Sequence, residues 1–321
     1  MKTHLSNRLL AFAGGAIALL TGPSTTLAAS APDTSGVVTM TVTASVADNK
    51  RMPEITGDDI VVRQGKSRLE VADWTPARGD RAGLELFILI DESADPRISL
   101  LYDDLRQFIS SQPGSTLVGV GYMRNATVQI AQDLTPDHRL ASQSLRLPIG
   151  HPMAYGSPYL SVSSLMKGWA PNGNRREVIM LTDGIGRGRF HRFGWHNSYR
   201  TDPDADTAVA VAQRTGTNIF TMYVPGSARG WRGTWAGLNG QFNMTRLSDS
   251  TGGSAFFLGL HSPVTISPYL GQVQKMLDNQ YILSFIAKPG KKAGLQPITL
   301  STEVAGVDLA AHNAVWVAGS R

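Results

Sequence analysis

The sequence contains no cysteine, which excludes disulfide bonds, thiolate metal sites and cysteine nucleophiles. Two catalytic motifs are also missing: the G-x-S-x-G elbow of serine hydrolases and the GxxxxGK[ST] loop that holds nucleotide phosphates. Charged residues are only 17% of the 321 residues, whereas hydrophobic residues are 42%, so the chain is long and apolar enough to bury a sizeable core.

The amino-terminal residues have the pattern of a cleaved secretory signal. Basic residues precede the apolar run LLAFAGGAIALL at residues 9–20, and the small-residue stretch TGPSTTLAAS follows it. Twelve residues are too few to span a bilayer, and no later apolar segment is long enough. We therefore expect residues 1–28 to be removed. The mature protein should be exported, to the periplasm or out of the cell, without a transmembrane segment.

The formal net charge of +5 is a weak indication of a nucleic-acid partner. Two of the basic side chains, Lys2 and Arg8, belong to the expected signal, and no acidic side chain is lost with them. Export makes a nucleic-acid partner less expected still. The sequence therefore predicts no nucleic-acid partner.

Apolar strands and helices alternate through the middle of the chain, which is typical of a doubly wound α/β fold. The segments LELFILI, STLVGVGYM, REVIMLTD and NIFTMYV lack polar alternation and so read as strands buried on both faces. Apolar residues at helical spacing lie between several of them. We predict a mostly parallel central sheet with helices on both faces over residues 81–280.

Both ends of the mature chain are rich in short β segments. Residues 37–47 alternate apolar and polar side chains with period two, and DIVVRQ and SRLEVADW read as two further strands. YILSFIA, QPITLSTEV and AVWVA are similar segments near the carboxyl terminus. We predict a small flanking β unit in which residues 33–80 and 281–321 pair into one sheet.

Two of the predicted central strands end in aspartate, at Asp91 and Asp183. Ligands of open parallel sheets bind beyond the carboxyl ends of the strands, where the strand order reverses. Ser93 and Asp95 follow Asp91 at alternate positions, and Ser157 lies in a loop between the two strands. Oxygen ligands without cysteine or clustered histidine suit a hard cation such as Mg²⁺ or Ca²⁺.

This pattern resembles the metal-ion-dependent adhesion site of von Willebrand factor type A (VWFA) domains. The motifs are D-x-S, a hydroxyl residue after a glycine, and a strand ending in TDG. Their order, from TVTASVADNK to DNQYILSF, is similar to that of bacterial exported VWFA-related proteins. The resemblance implies a vWA/Rossmann-like fold, a divalent cation (Mg²⁺ first, with Ca²⁺ or Mn²⁺ as alternatives), and non-enzymatic binding of a protein or surface polymer. It implies a metal shell formed by Asp91, Ser93, Asp95, Ser157 and Asp183.

Asp95 departs from the family pattern, which usually has a hydroxyl residue at this position. An additional carboxylate would weaken the attraction of the cation for a partner's carboxylate, or strengthen binding of the cation itself. Asp95-Pro96 also fits a helix start, so the residue acts as a cap alone or as a cap and a metal ligand. Two alternative functions stay open. They are a structural module whose site has lost its metal, and a metal-dependent phosphoryl transferase, although Ser93 stands where that enzyme needs a second aspartate.

Two predicted loops that follow strand ends combine arginine with aromatic residues. Such loops suit an acidic partner, a glycan or exposed bases, or they form an apolar lid with arginines in water. The candidate ligand-binding residues are Arg187, Arg189, Arg192, Trp195, Trp231 and Arg232.

Overall fold

Fourteen strands and six α-helices make up the part of the chain that the computed structural model describes, residues 36–47, 51–148, 156–186, 201–226, 231–257 and 264–320. All of these residues belong to one compact unit of the chain. The strands are β1 Val37–Val46, β2 Ile60–Gln64, β3 Ser67–Leu69, β4 Val71–Pro76, β5 Leu84–Asp91, β6 Thr116–Arg124, β7 Thr127–Thr135, β8 Arg175–Thr182, β9 Thr217–Tyr223, β10 Ala255–Phe256, β11 Gln280–Ile286, β12 Gly294–Thr302, β13 Val307–Ala310 and β14 Ala314–Val317. The helices are α1 Tyr102–Ser110, α2 His138–Gln143, α3 Pro158–Gly168, α4 Pro203–Thr215, α5 Trp231–Ser250 and α6 Ser267–Asp278.

The central sheet has six strands in the order β10-β9-β8-β5-β6-β7. Within it every neighbouring pair is parallel except β6 and β7, which form an antiparallel hairpin. Strands β5, β8 and β9 are buried along their whole length, as expected when helices cover both faces. The predicted doubly wound α/β fold is therefore confirmed. Chain order reverses between β5 and β8, which lie side by side.

The two faces of the central sheet carry separate hydrophobic cores. Alternate residues of β5 point to opposite faces, so Ile88 belongs to one core and Leu89 to the other. The first core includes buried residues of α1, α2 and α6, and the second includes buried residues of α3, α4 and α5. The helices thus hold β5 and β8 rigidly from both sides.

The β segments from the two ends of the chain form two four-stranded sheets, in the orders β13-β1-β11-β4 and β14-β12-β2-β3. Strand β1 pairs with β11, and β2 pairs with β12, both antiparallel. The sequence predicted one small sheet; two form because SRLEVADW divides at the exposed residue Glu70 into β3 and β4, which join different sheets. A single hydrophobic core includes buried residues of both sheets. The domain limits at residues 80 and 280 stay a prediction.

A buried polar network joins this β unit to the amino-terminal end of the central sheet. Gln280 at the start of β11 donates a hydrogen bond to Glu177 Oε1 of β8, with 2.7 Å between the atoms. Asn218 Nδ2 donates to the same oxygen at 3.2 Å, and His312 Nε2 lies 2.9 Å from Asn218 Oδ1. Arg175 donates to the Gln280 side-chain oxygen. These hydrogen bonds connect the β unit to the central sheet, while Glu177 Oε2 and Arg175 Nε stay buried without a hydrogen-bond partner.

The network should make stability depend on pH. Burial raises the pKa of Glu177 to about 7 and lowers the pKa of His312 to about 4. The fold therefore favours protonated Glu177, whose contribution to stability is complete below its ordinary pKa of 4.5 and is lost as the pH rises through about 7. His312 has the opposite dependence, because the fold favours its neutral form. Its contribution is present above 6.5 and is lost as the pH falls through about 4.

We expect Glu177→Gln to remove the first of these dependences. The free energy of unfolding of the variant, relative to the wild type, should rise by about 3 kcal/mol from about pH 4 to about pH 8. Urea unfolding at a series of pH values measures this difference. Any other effect of the amide on stability is the same at every pH, so it leaves the expected rise of this difference with pH unchanged. If the difference in the free energy of unfolding stays constant from about pH 4 to about pH 8, the pKa of Glu177 is not raised by the fold.

Among the described residues, no helix combines the length and the apolar composition that crossing a membrane requires.

Candidate metal centre

Asp91 and Asp183 lie at the carboxyl ends of two neighbouring central strands. Strands β5 and β8 are parallel and aligned, with Ile90 opposite Leu181. Asp91 therefore lies beside Thr182, and Asp183 is one residue further along. The strand order reverses between these two strands, which is where open α/β sheets bind their ligands.

The Asp91 carboxylate is buried and fixed by three hydrogen bonds. Its Oδ1 atom accepts from the Ser93 backbone N–H at 2.8 Å and from the Ser93 hydroxyl at 2.7 Å. Its Oδ2 atom accepts from the Thr182 hydroxyl at 2.7 Å. The turn after β5 thus brings Asp91 and Ser93 together, and Thr182 connects them to β8. Thr182 was not among the predicted site residues, although its place directly before Asp183 could have indicated it.

Ser157 supplies a buried hydroxyl that has no hydrogen-bond partner. It is the N-cap residue of α3, yet its side chain makes no capping hydrogen bond, and Pro158 occupies the first helical position. Together with Asp91 and Ser93 it lines a cavity of about 20 Å³. A buried hydroxyl without a partner is unfavourable, so this atom fits a site that is completed by a ligand.

Asp183 is buried, but it does not line that cavity. Its Oδ1 atom accepts from the backbone N–H of Ile185 at 3.0 Å. The Tyr159 hydroxyl donates to the carbonyl oxygen of the next residue, Gly184, at 3.0 Å. The turn after β8 is therefore fixed both by its own aspartate and by α3.

Three carboxylates act on the Tyr159 hydroxyl. Burial raises the pKa of Tyr159 well above its usual value, and the negative charges of Asp202, Asp183 and Asp91 raise it further. Asp202, the N-cap of α4, lies near Ser157, because a Cβ atom built at Gly186 would be 3.1 Å from Asp202 Oδ2 and 3.7 Å from Ser157 Oγ. Asp202 was not among the predicted site residues, although an aspartate directly before Pro203 is a common helix start.

Asp95 acts as the N-cap of a short 3-10 helix over Pro96–Leu101. Its carboxylate accepts from the Arg97 backbone N–H at 3.0 Å and forms an ion pair with the Arg97 guanidinium at 2.9 Å. It does not line the cavity of Asp91, Ser93 and Ser157. The capping interpretation is thus present in the structure, whereas its contact with a metal stays a prediction.

Within the described ranges, no three histidine, aspartate or glutamate side chains are arranged to hold a metal ion. A cation at this edge would therefore depend on hydroxyl ligands as well as carboxylates. Asp91, Ser93 and Ser157 supply such a mixed oxygen set, which suits Mg²⁺ or Ca²⁺. The oxygen atoms of these three residues therefore fit a hard divalent cation, whereas Arg124, an exposed residue at the end of β6, also lines the cavity.

The candidate ligand-binding residues Arg187, Arg189, Arg192 and Trp195 lie outside the described residues. Trp231 and Arg232, which the sequence placed in a loop, begin helix α5 instead. The glycines at 233, 237 and 240 suggested a loop, because glycine is a weak helix former. Packing overrides the weak helix preference of glycine here. Leu247 of α5 is fully buried in the core that α3, α4 and α5 form on one face of the central sheet.

Comparisons with known proteins give a fold likeness and no close relative. No protein-family profile matches the chain, and no curated protein matches it. Among solved structures, an aerotolerance-related membrane protein from Bacteroides fragilis has 12% identity and a TM-score of 0.44 over 61% of this chain and 99% of that chain. The ArnB paralog VWA2 from Sulfolobus acidocaldarius has 10% identity and a TM-score of 0.40, over 88% and 76%. The adhesive tip pilin GBS104 from Group B Streptococcus agalactiae has 8% identity and a TM-score of 0.39, over 60% and 98%.

Matches at these identities and TM-scores add nothing to what the strand order already shows. The assignment rests on the six-stranded central sheet, its antiparallel edge strand β7, and the helices on both faces. The described part of the chain has a doubly wound α/β fold with a mostly parallel six-stranded sheet, joined to a β unit.

Proposed function

We propose that this chain is an exported, non-enzymatic binding protein that holds a divalent cation at the carboxyl edge of β5 and β8. Asp91, Ser93 and Ser157 would bind the cation, with Asp183 beside them. Mg²⁺ is the preferred cation, with Ca²⁺ and Mn²⁺ as alternatives. The cation would supply an electrophilic centre that a protein or surface-polymer partner approaches with its own oxygen ligand.

The observation that carries the proposal is the Ser157 hydroxyl, buried and without a partner on the wall of a cavity shared with Asp91 and Ser93. A cavity of about 20 Å³ has room for a single water-sized species. A cation there would give Ser157 Oγ the contact that it otherwise lacks. Asp91 would need little movement, because the turn to Ser93 and the bond from Thr182 already hold it.

A structural module without metal is the second candidate, and one observation favours it. Both oxygens of Asp91 are already hydrogen-bonded within the chain, Oδ1 by Ser93 and Oδ2 by Thr182. This arrangement stabilises the turn without any ion. In that case Asp91 and Asp183 only stabilise the turns at the ends of β5 and β8, and partners bind elsewhere on the protein.

A pull-down of the exported protein from its native cell envelope separates the two candidates. Immobilised wild-type protein should retain a partner in Mg²⁺ and release it when EDTA is added. The Asp91→Ala variant should retain none under either condition, because it lacks the carboxylate at the centre of the site. Retention that is the same with and without chelator, and in the variant, would support the metal-free module.

A further inference from the structure

Glu92 lies in the turn after β5, between the candidate metal ligands Asp91 and Ser93. Its carboxylate points away from them into the protein. The residue is only 1% exposed. Its backbone N–H donates to the carbonyl oxygen of Met123 on β6 at 3.1 Å. Its carboxylate accepts from the Arg146 guanidinium, with 2.6 Å between Oε1 and Nη2. The turn is therefore attached to β6 and to Arg146 through its middle residue.

Arg146 is itself held by contacts with three other elements. Its guanidinium stacks 3.7 Å from the centre of the Tyr122 ring on β6 and donates to Gln129 of β7 at 3.4 Å. Its backbone N–H donates to the Tyr122 hydroxyl at 2.6 Å. Its carbonyl oxygen accepts from the Tyr122 hydroxyl at 2.7 Å and from the Tyr102 hydroxyl at 2.5 Å. Neither end of this ion pair can shift without breaking several contacts.

A buried carboxylate needs this partner. Without Arg146, Glu92 would lose the ion pair that compensates its buried charge, which is strongly unfavourable, so its carboxylate would turn toward water. Asp91 and Ser93 are its immediate neighbours in the chain, and they would move with it. Mutation of a group that orients metal ligands from outside the ligand shell typically lowers metal affinity by about 10–100-fold.

We infer that the Glu92–Arg146 ion pair is the positioning device of the metal-binding turn. It holds Asp91 and Ser93 where their oxygens share the cavity with Ser157. Arg146 does not line the cavity, and its guanidinium reaches the turn through Glu92. The inference rests on the proposed function, since it assigns a role to residues that support the same cation site.

The test compares Mg²⁺ affinities, measured by isothermal titration calorimetry, of the wild type, Arg146→Met, Arg146→Lys and Glu92→Gln. We expect affinity to fall by about 10–100-fold in Arg146→Met and Glu92→Gln. Arg146→Lys should recover part of the loss, because it keeps a positive charge opposite Glu92. Circular dichroism and urea unfolding in EDTA report the fold of each variant, and Glu92→Gln keeps the side-chain shape if Arg146→Met does not fold.

Arg106→Met is the matched control. Arg106 also forms an ion pair, with Asp103 at 2.9 Å, and also lies over a tyrosine ring, 5.9 Å from the centre of Tyr102. It is on the surface of α1 and does not contact the turn, so its loss should leave Mg²⁺ affinity unchanged. Folded Glu92→Gln that binds Mg²⁺ as tightly as the wild type would overturn the inference alone. A wild-type protein that binds no divalent cation would overturn the proposed function as well.

Discussion

Asp183→Asn should reduce the stabilisation that Mg²⁺ gives to the wild-type protein, because it removes a negative charge beside the cation site. A ligand at a concentration 100 times its dissociation constant stabilises a protein by about 2.7 kcal/mol, which raises the thermal midpoint by roughly 5 °C or more for a domain of this size. Asparagine keeps the shape of the side chain and an oxygen that accepts from the Ile185 N–H. The variant therefore removes the charge and leaves the turn intact.

The sign of the effect should reverse when the metal is removed. Asp91 and Asp183 lie at the adjoining carboxyl ends of the aligned strands β5 and β8, so their negative charges repel one another. In EDTA, Asp183→Asn should melt at the same temperature as the wild type or higher; in saturating Mg²⁺ it should melt lower. Thermal melts in both buffers measure this reversal.

Asp103→Asn is the control for the loss of one carboxylate, since the side chain of Asp103 is 95% exposed on α1. It should show the same shift between EDTA and Mg²⁺ as the wild type. A full Mg²⁺ response in Asp183→Asn would exclude Asp183 from the metal centre.

Gly240→Ala should be the most damaging small substitution on α5. A Cβ atom at this position would overlap the carbonyl oxygen of Asp183 and lie 3.1 Å from the carbonyl carbon of Gly184. Both are backbone atoms of the turn after β8, and that turn cannot move freely, because the Tyr159 hydroxyl donates to the Gly184 carbonyl oxygen and Asp183 Oδ1 accepts from the Ile185 N–H. We expect a loss of about 3 kcal/mol in the free energy of unfolding, together with weaker Mg²⁺ binding, because Asp183 would be displaced.

Gly271→Ala on α6 is the matched comparison. An added Cβ at Gly271 meets no atom within 4 Å, so this substitution should stabilise the protein by about 0.5–1 kcal/mol, the ordinary preference of a helix for alanine. Urea unfolding in EDTA measures both variants. Equal free energies of unfolding for the two alanine variants would show that Gly240 of α5 does not closely contact the turn after β8.

The sequence predicted those parts of the fold in which the local residue pattern indicates burial or a helix end. Strands β5, β8 and β9 have no polar alternation and are buried on both faces. Helix α4 ends at Gly216, whose φ of 67° is the left-handed cap that glycine favours. Helix α5 was not predicted, because its glycines hide a helix that depends on close packing for its stability.

The candidate site was predicted as far as it is local in the sequence. Asp91 and Ser93 are two positions apart, and their contact follows from the turn they form. Arg146, in contrast, is 54 positions away from Glu92, and nothing near either residue indicates the pair. Such a partner is selected by the packing of α1, β6 and β7, which a single sequence does not reveal.

Strands from opposite ends of the chain share one sheet, and this affects how the protein can fold as it emerges. Thr39 of β1 meets Ser284 of β11 across 245 positions, with 2.9 Å between their hydroxyl oxygens. Pairing over such a distance is slow, because a long loop must close before the contact forms. Strand β1 would therefore stay without its partner β11 until the residues about 245 positions further along have been synthesised. Successful production thus depends on keeping this early segment from aggregating during that interval.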